Sequence, residues 1–284
     1  MAFQGIITAM VTPFHEDGSL DEDGSGRLIR DLLDGGSDGL VLGGTTGEGP
    51  TLTDDEAVAL WEIGVEVATG RGAPIIAGTG TNDTRHTIEF TERAAAVGVD
   101  GALVVTPYYN RPSRAGVVAH YQAVAAATDL PIVLYNIPQR TGLDMPNDLL
   151  AELAGIPTVL GVKQARYEDL EPIEGLDLLA GNDDLLGRVL DLGGTGGILV
   201  ASHLAGREMR RMIDEPELRA ELERELLPFY GALSVAPAAA SVKAALGLLG
   251  RDVGEPRLPL VPPSESELSA IRQGLEARGL LETV

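Results

Sequence analysis

Residues 159–164 read VLGVKQ, an apolar run carrying one lysine, Lys163, with no alternation of polar and apolar positions. A strand that is apolar at consecutive positions is covered on both faces, which is how a parallel sheet under helices reads in sequence. Seven further short runs of this kind occur, at residues 6–11, 39–43, 74–78, 101–106, 131–136, 176–181 and 197–201. Helix-period segments lie between them, among them 54–69, 84–97 and 115–127. The first of these opens with Thr53 and has Glu56 three residues later, a capping-box pattern. Eight such units are what closes a TIM (β/α)8 barrel, and this α/β fold is the expectation. A doubly wound open sheet is the alternative. Its first strand usually runs into a glycine-rich phosphate loop, whereas here it runs into Thr12-Pro13-Phe14. Beyond residue 213 the pattern is purely helical, with candidates at 216–227, 239–249 and 265–276 separated by proline or glycine. The expected organisation is a barrel over 1–213 and a C-terminal helical extension over 214–284, packed on the barrel.

Composition narrows the function. The 284 residues suit one α/β barrel, and 44% hydrophobic content supplies a sizeable core. The absence of cysteine excludes disulfides, thiolate zinc sites and a cysteine nucleophile. Twenty-one basic against 43 acidic side chains leave a net charge of −22, a field that repels phosphate backbones and anionic headgroups. No nucleic-acid or membrane role is expected. Residues 1–14 lack a basic segment and their apolar run is broken by Thr8, so no signal peptide is read there, and a cytoplasmic location is expected. His15, His86, His120 and His203 are scattered without ligand spacing, and no metal site is expected from them. Asp183-Asp184 and the 21–23 run read as acidic pairs on solvated faces. The glycines of 193–197 lack the lysine of a phosphate loop and read as the start of strand eight.

In a barrel the chemistry sits where strands end. Those ends carry GGTTGE at 43–48, PYYN at 107–110, Tyr135-Asn136, Lys163 and Gly181. Burying the Lys163 ammonium is costly unless its pKa falls, and a depressed pKa makes the amine a nucleophile. Gly161 points to the same side and leaves it room. The competing reading is a lysine that snorkels or pairs with a buried carboxylate, a weaker choice in a chain whose only other lysine is Lys243. A Schiff base formed by such an amine needs a proton shuttle, which the hydroxyls of Tyr135, Thr45 and Tyr109 can supply. Each also has an ordinary role, the tyrosines capping a core and the threonine shaping a turn.

Six motifs now stand in order: VTPF at 11–14, GTTGE at 44–48, TPYYNRP at 106–112, YNIPQRTG at 135–142, GVK at 161–163 and RLP at 257–259. Over essentially its whole length the chain resembles the dihydrodipicolinate synthase family of pyruvate-dependent class I aldolases, a group that includes N-acetylneuraminate lyase. The resemblance implies a lyase of lysine and diaminopimelate biosynthesis that condenses pyruvate with aspartate semialdehyde. Lys163 would form the Schiff base with pyruvate and Tyr135 would relay protons, linked through Thr45 to Tyr109, which in the family reaches into a neighbouring subunit. Thr46 would hold the pyruvate carboxylate, Gly181 and Ile198 would line its pocket, and Arg140 would take the carboxylate of the semialdehyde. The covalent imine makes a separate cofactor unnecessary, and a homotetramer built as a dimer of dimers is implied. Neuraminate lyases and sugar-acid aldolases usually lack the arginine motif, so a 2-keto-3-deoxy sugar acid is the alternative substrate. A catalytically silent barrel would have no need to keep these hydroxyls and the lysine together.

The chain also departs from the family. Gln164-Ala165-Arg166 follows the lysine where an acidic and a small polar residue are usual, and Asn182 replaces a common aspartate. At the site where lysine inhibits some members, Asn82 and Tyr108 match, but His86 replaces a glutamate, and Asp54 and Ala57 stand where inhibited enzymes have histidines. Weak feedback inhibition by lysine is therefore expected.

Overall fold

The computed structural model describes residues 3–282. Eight parallel strands close in sequence order, with β8 bonded back to β1. They are β1 (Gly5–Ala9), β2 (Gly39–Leu42), β3 (Ile75–Gly78), β4 (Gly101–Val105), β5 (Ile132–Asn136), β6 (Val159–Gln164), β7 (Asp177–Ala180) and β8 (Gly196–Leu199). The eight expected strands are all present, β6 with the expected bounds and the others within two residues of them. Helices α1 (Glu22–Asp34), α2 (Asp54–Ala68), α3 (Thr84–Val97) and α4 (Arg114–Ala126) follow β1 to β4. The short α5 (Pro138–Thr141) and α6 (Asn147–Leu153) share the connection after β5, and α7 (Leu186–Asp191) and α8 (Ser202–Asp214) follow β7 and β8. The chain ends in α9 (Arg219–Leu233), α10 (Ala238–Leu248) and α11 (Glu265–Ala277).

Strand alternation divides the core into two layers. Ile7, Ala9, Val41, Ile76, Leu103, Val133, Leu179 and Ile198 form one buried cluster, which is the packed interior of the barrel. The intervening residues, such as Ile6, Val104, Leu134, Val162 and Leu178, face the helices. One irregularity, on β6, sets the direction in which Lys163 points. Ile132 pairs with Val159 while Val133 pairs with Gly161, so Leu160 is an extra residue on β6. This bulge resets the alternation, leaving Val159 among the helix-facing residues and sending Gly161 and Lys163 inward.

Thr53 and Glu56 form the expected capping box at the start of α2, each satisfying a backbone or side-chain donor of the other. Buried residues of α9 and α11, including Leu222, Phe229, Ile271 and Leu275, share one hydrophobic cluster with Leu178 and Leu186 of the barrel. The terminal helices therefore pack into the same layer as the barrel helices. Among the described residues no single helix is long and apolar enough to cross a membrane.

Candidate active site

Lys163 and Tyr135 are register partners on adjacent strands, which puts both side chains on the inner face at the same height. Lys163 is 4% exposed, and its Nζ lies 4.2 Å from the centroid of the Tyr135 ring. Burial drives the lysine pKa down to about 7, the Arg140 charge pushes the same way, and Asp183 opposes both. Burial pushes the Tyr135 phenol up to about 12, against the Arg140 charge and a hydrogen bond with Thr45. The amine is thus available as a base or nucleophile near neutral pH, beside a phenol that keeps its proton and can donate it.

The loop after β2 carries Thr45 and Thr46. It is drawn tight by Glu48 N–H donating to Thr45 O at 3.2 Å and Gly49 N–H donating to Gly44 O at 3.0 Å. Gly49 admits no side chain, because a Cβ there would lie 2.3 Å from Gly43 O. From the segment that follows β1, Thr12 Oγ1 donates to Gly47 O at 2.6 Å. Thr46 is buried and Thr45 half-buried, its hydroxyl reaching Tyr135.

Tyr135, Thr45, Tyr109 and Arg140 line one cavity of about 670 Å³ at the C-terminal end of the barrel. Asn82, His86 and Tyr108 line the same cavity. Lys163, Thr46, Gly181 and Ile198 do not line it, Lys163 lying buried behind the Tyr135 ring. Ile198 lies in the barrel interior on β8, in the same buried cluster as Tyr135. Gly181 follows β7 and donates its N–H to Gln164 O at 2.8 Å. A Cβ at Gly181 would meet that same peptide at 2.8 Å, so any larger residue would push β7 off β6 beside the lysine. Arg140, on α5, is solvent-exposed, yet its charge is felt by both Lys163 and Tyr135.

Tyr109 is 89% exposed, and its φ of 71° is a left-handed value uncommon for a bulky residue. Arg111 is also left-handed, and Asn110 ties the loop to Asn82 O at 2.8 Å. The tyrosine is held in an outward pose by its own loop.

Within the Gln164 to Arg166 departure, Gln164 and Arg166 face away from the barrel interior, whereas Ala165 belongs to the inner-face cluster with Tyr135. Gln164 Oε1 accepts from Asn136 Nδ2 at 3.0 Å, on the helix side of β5 and β6. Arg166 is buried and donates to Asp144 at 2.9 Å and to Asn147 at 2.6 Å. Asn136 also donates to Asp144, at 2.9 Å, so Gln164 and Arg166 brace the connection that presents Arg140.

Two groups of the site were missed in the sequence. Asp183 is not the solvated residue expected: its Oδ1 accepts the N–H groups of Val200 and Ala201 at 2.9 and 3.0 Å, holding the loop after β8. Burial raises its pKa to about 6, opposed by those N–H groups and by Lys163. Asp184 beside it is exposed, as expected. The other is Lys243, whose Nζ lies 2.8 Å from Glu48 Oε1 beneath the β2 loop. A lysine inside the apolar run AAASVKAALGL was the available signal. His203 and His120 are buried and held neutral by burial at about 4. His203 takes Val11 N–H at 3.1 Å and gives to Val200 O at 2.7 Å, a structural tie between the segment after β1 and α8.

A family model described as the dihydrodipicolinate synthetase family matches residues 2–278. A 4-hydroxy-tetrahydrodipicolinate synthase of Moorella thermoacetica is 45% identical over 294 residues, covering 99% of this chain and all of that protein. The Bacillus subtilis enzyme of the same name is 43% identical over 281 residues, covering 94% of this chain and 96% of that one. Among solved structures, the lysine-bound dihydrodipicolinate synthase of Cyanidioschyzon merolae superposes with a TM-score of 0.95 at 38% identity, over 99% of both chains.

Proposed function

The chain belongs to the dihydrodipicolinate synthetase family, and from that premise we propose that it condenses pyruvate with L-aspartate-4-semialdehyde to 4-hydroxy-tetrahydrodipicolinate, in lysine and diaminopimelate biosynthesis. The chain is an enzyme, a lyase. The observation that carries the mechanism is Lys163, buried inside the barrel mouth beside Tyr135, with its pKa brought down to about 7.

The free amine of Lys163 adds to the ketone carbon of pyruvate to give a carbinolamine. Loss of water, with Tyr135 supplying the proton, leaves an imine. The imine is the electron sink, so the reading calls for no separate cofactor. Loss of a methyl proton gives the enamine, whose carbon attacks the semialdehyde aldehyde and forms the new C–C bond. The substrate's own amine then displaces Lys163 by transimination and closes the ring. Thr46 and its backbone hold the pyruvate carboxylate, with Gly181 and Ile198 shaping the pocket around it. Thr45 links Tyr135 to Tyr109, and Arg140 receives the semialdehyde carboxylate through its fork of donors.

The exposed, conformationally held Tyr109 supports a tight dimer in which that hydroxyl completes the neighbour's relay, and two such dimers would give the tetramer. A cytoplasmic location accords with this chemistry. For feedback by lysine, Asn82, His86 and Tyr108 line the same cavity, but His86 Nε2 is hydrogen-bonded to the Asp54 carboxylate at 3.0 Å. Arg93 also approaches that carboxylate, at 3.6 Å. The acid there is already engaged, which favours weak inhibition.

The test is kcat/KM for pyruvate with aspartate semialdehyde, set beside cleavage of 2-keto-3-deoxygluconate and N-acetylneuraminate by the same preparation. Borohydride trapping with pyruvate runs in parallel. Preference for the semialdehyde together with a pyruvate adduct on Lys163 supports the reading. Preference for a sugar acid keeps the Lys163 chemistry and overturns the substrate, and the absence of any adduct overturns the mechanism.

A further inference from the structure

Lys243 lies on α10, outside the barrel wall, yet it is as deeply buried as Lys163. Its Nζ is 2.8 Å from Glu48 Oε1, with the two side chains 2% and 1% exposed. The ammonium also donates to Glu255 O at 3.1 Å and sits 4.1 Å over the Phe14 ring. Glu48 Oε2 accepts the backbone N–H of Arg257 at 2.7 Å. The carboxylate is thus held by two donors from the C-terminal part of the chain, and neither touches the reacting atoms.

Glu48 ends the turn that displays Thr45 and Thr46. Its φ of 57° is left-handed, a state that a side-chain-bearing residue keeps only where its surroundings over-determine it. Its N–H closes the turn onto Thr45 O, so a displacement of the carboxylate is passed directly to the threonine peptides. A buried ion pair is a weak source of stability, because well-packed apolar residues of the same volume do as well or better. What an ion pair adds is direction, since the carboxylate is fixed between the Lys243 ammonium on one oxygen and the Arg257 N–H on the other.

We propose that Glu48 and Lys243 are a positioning pair: anchored by α10 and the Arg257 backbone, they fix the Thr45–Thr46 turn and with it the subsite for the pyruvate carboxylate. The inference deepens the proposed function and rests on it. Its consequence is selective. The semialdehyde carboxylate is assigned to Arg140 on α5, which the pair does not contact, so loss of the pair weakens pyruvate binding and leaves the second substrate alone.

The experiment compares Glu48→Gln and the double variant Glu48→Gln/Lys243→Met with wild type. The glutamine keeps the acceptor for Arg257 N–H, and the double variant leaves no unpaired buried charge, so one folded protein is available even if the single change misfolds. Asp38→Asn serves as the control for general loosening. It removes the negative charge that pairs with Arg210 and leaves a single acceptor for the two donors, Arg210 and Ile6 N–H, at the opposite end of the barrel. Steady-state kinetics for both substrates, thermal melting and borohydride trapping with pyruvate are measured on each. The expected result is a rise of about tenfold in the pyruvate KM of both Glu48 variants, the equivalent of one hydrogen bond to a charged carboxylate. The semialdehyde KM stays within about twofold, and Asp38→Asn lowers the melting temperature with neither KM changed. An unchanged pyruvate KM in both variants, an equal rise for both substrates, or the same rise in Asp38→Asn overturns the proposal alone. Failure of the wild type to form a pyruvate adduct overturns the proposal together with the function it rests on.

Discussion

The pKa of Lys163 gives a prediction with a slope, a break and two directions. Burial brings it from 10.5 to about 7, so close to half of the amine is free at neutral pH. An unperturbed lysine would offer only about one part in three thousand there. Attack on pyruvate needs the free amine, so the rate of adduct formation should be flat above the break and fall tenfold per pH unit below it. Between about pH 8 and about pH 5 the loss is roughly ninetyfold for this pKa. The assay is adduct formation under cyanoborohydride at limiting pyruvate, followed by intact-protein mass spectrometry across that range. Two variants then move the break in opposite senses. Arg140→Met removes a cation that disfavours the ammonium and moves the break to higher pH, whereas Asp183→Asn removes an anion that favours it and moves the break to lower pH. A rate that climbs tenfold per unit through about pH 9 with no break would refute the buried-amine argument. A break that neither variant moves would refute the assignment of its electrostatic causes.

Three further outcomes are expected. Tyr109→Phe should lower kcat by about tenfold to a hundredfold as the relay loses a hydroxyl, while stability changes by less than about 0.5 kcal/mol because the side chain is exposed; unchanged kcat counts against the relay. Titration with L-lysine should show inhibition weaker by about tenfold or more than a site with a free acidic anchor would give, and strong inhibition would show that Asp54 is released from His86 to serve as that anchor. Glu56 is held down at about 2 from 4.5, chiefly by the Arg257 guanidinium. Its depressed pKa means that the stabilisation is complete above about pH 4.5 and is lost as the pH falls towards about 2. The melting-temperature gap between wild type and Glu56→Gln should therefore close over that interval, and a constant gap would refute the ion pair as its source.

The site was legible to the depth at which a residue's own sequence neighbours betray it. Lys163 shows in the sequence because an ammonium inside VLGVKQ conflicts with burial, and the same conflict marks Lys243 inside AAASVKAALGL. What differed was the partner: nothing near residue 243 in sequence points to Glu48, which is almost two hundred residues away and meets it only because α10 packs against the outside of the barrel beside the β2 loop. Asp183 was misread for a related reason. An acidic chain makes paired aspartates common, and only the closure of β8 beside β7 brings two unpaired N–H groups onto that carboxylate. The Gln164 to Arg166 departure looked like a change at the substrate until strand alternation turned Gln164 towards the helix layer.

By itself the sequence determined the eight strands, the helices between them and the residues able to do the chemistry, because period, capping and the cost of burying charge act over a few neighbouring residues. The tertiary structure decided where those residues stand. The bulge at Leu160 selects which face of β6 carries the amine, ring closure sets Tyr135 against it, and the C-terminal helices bring a buried cation beneath the β2 loop. Each of these depends on contacts between segments far apart in the chain, and local propensity carries no information about such contacts.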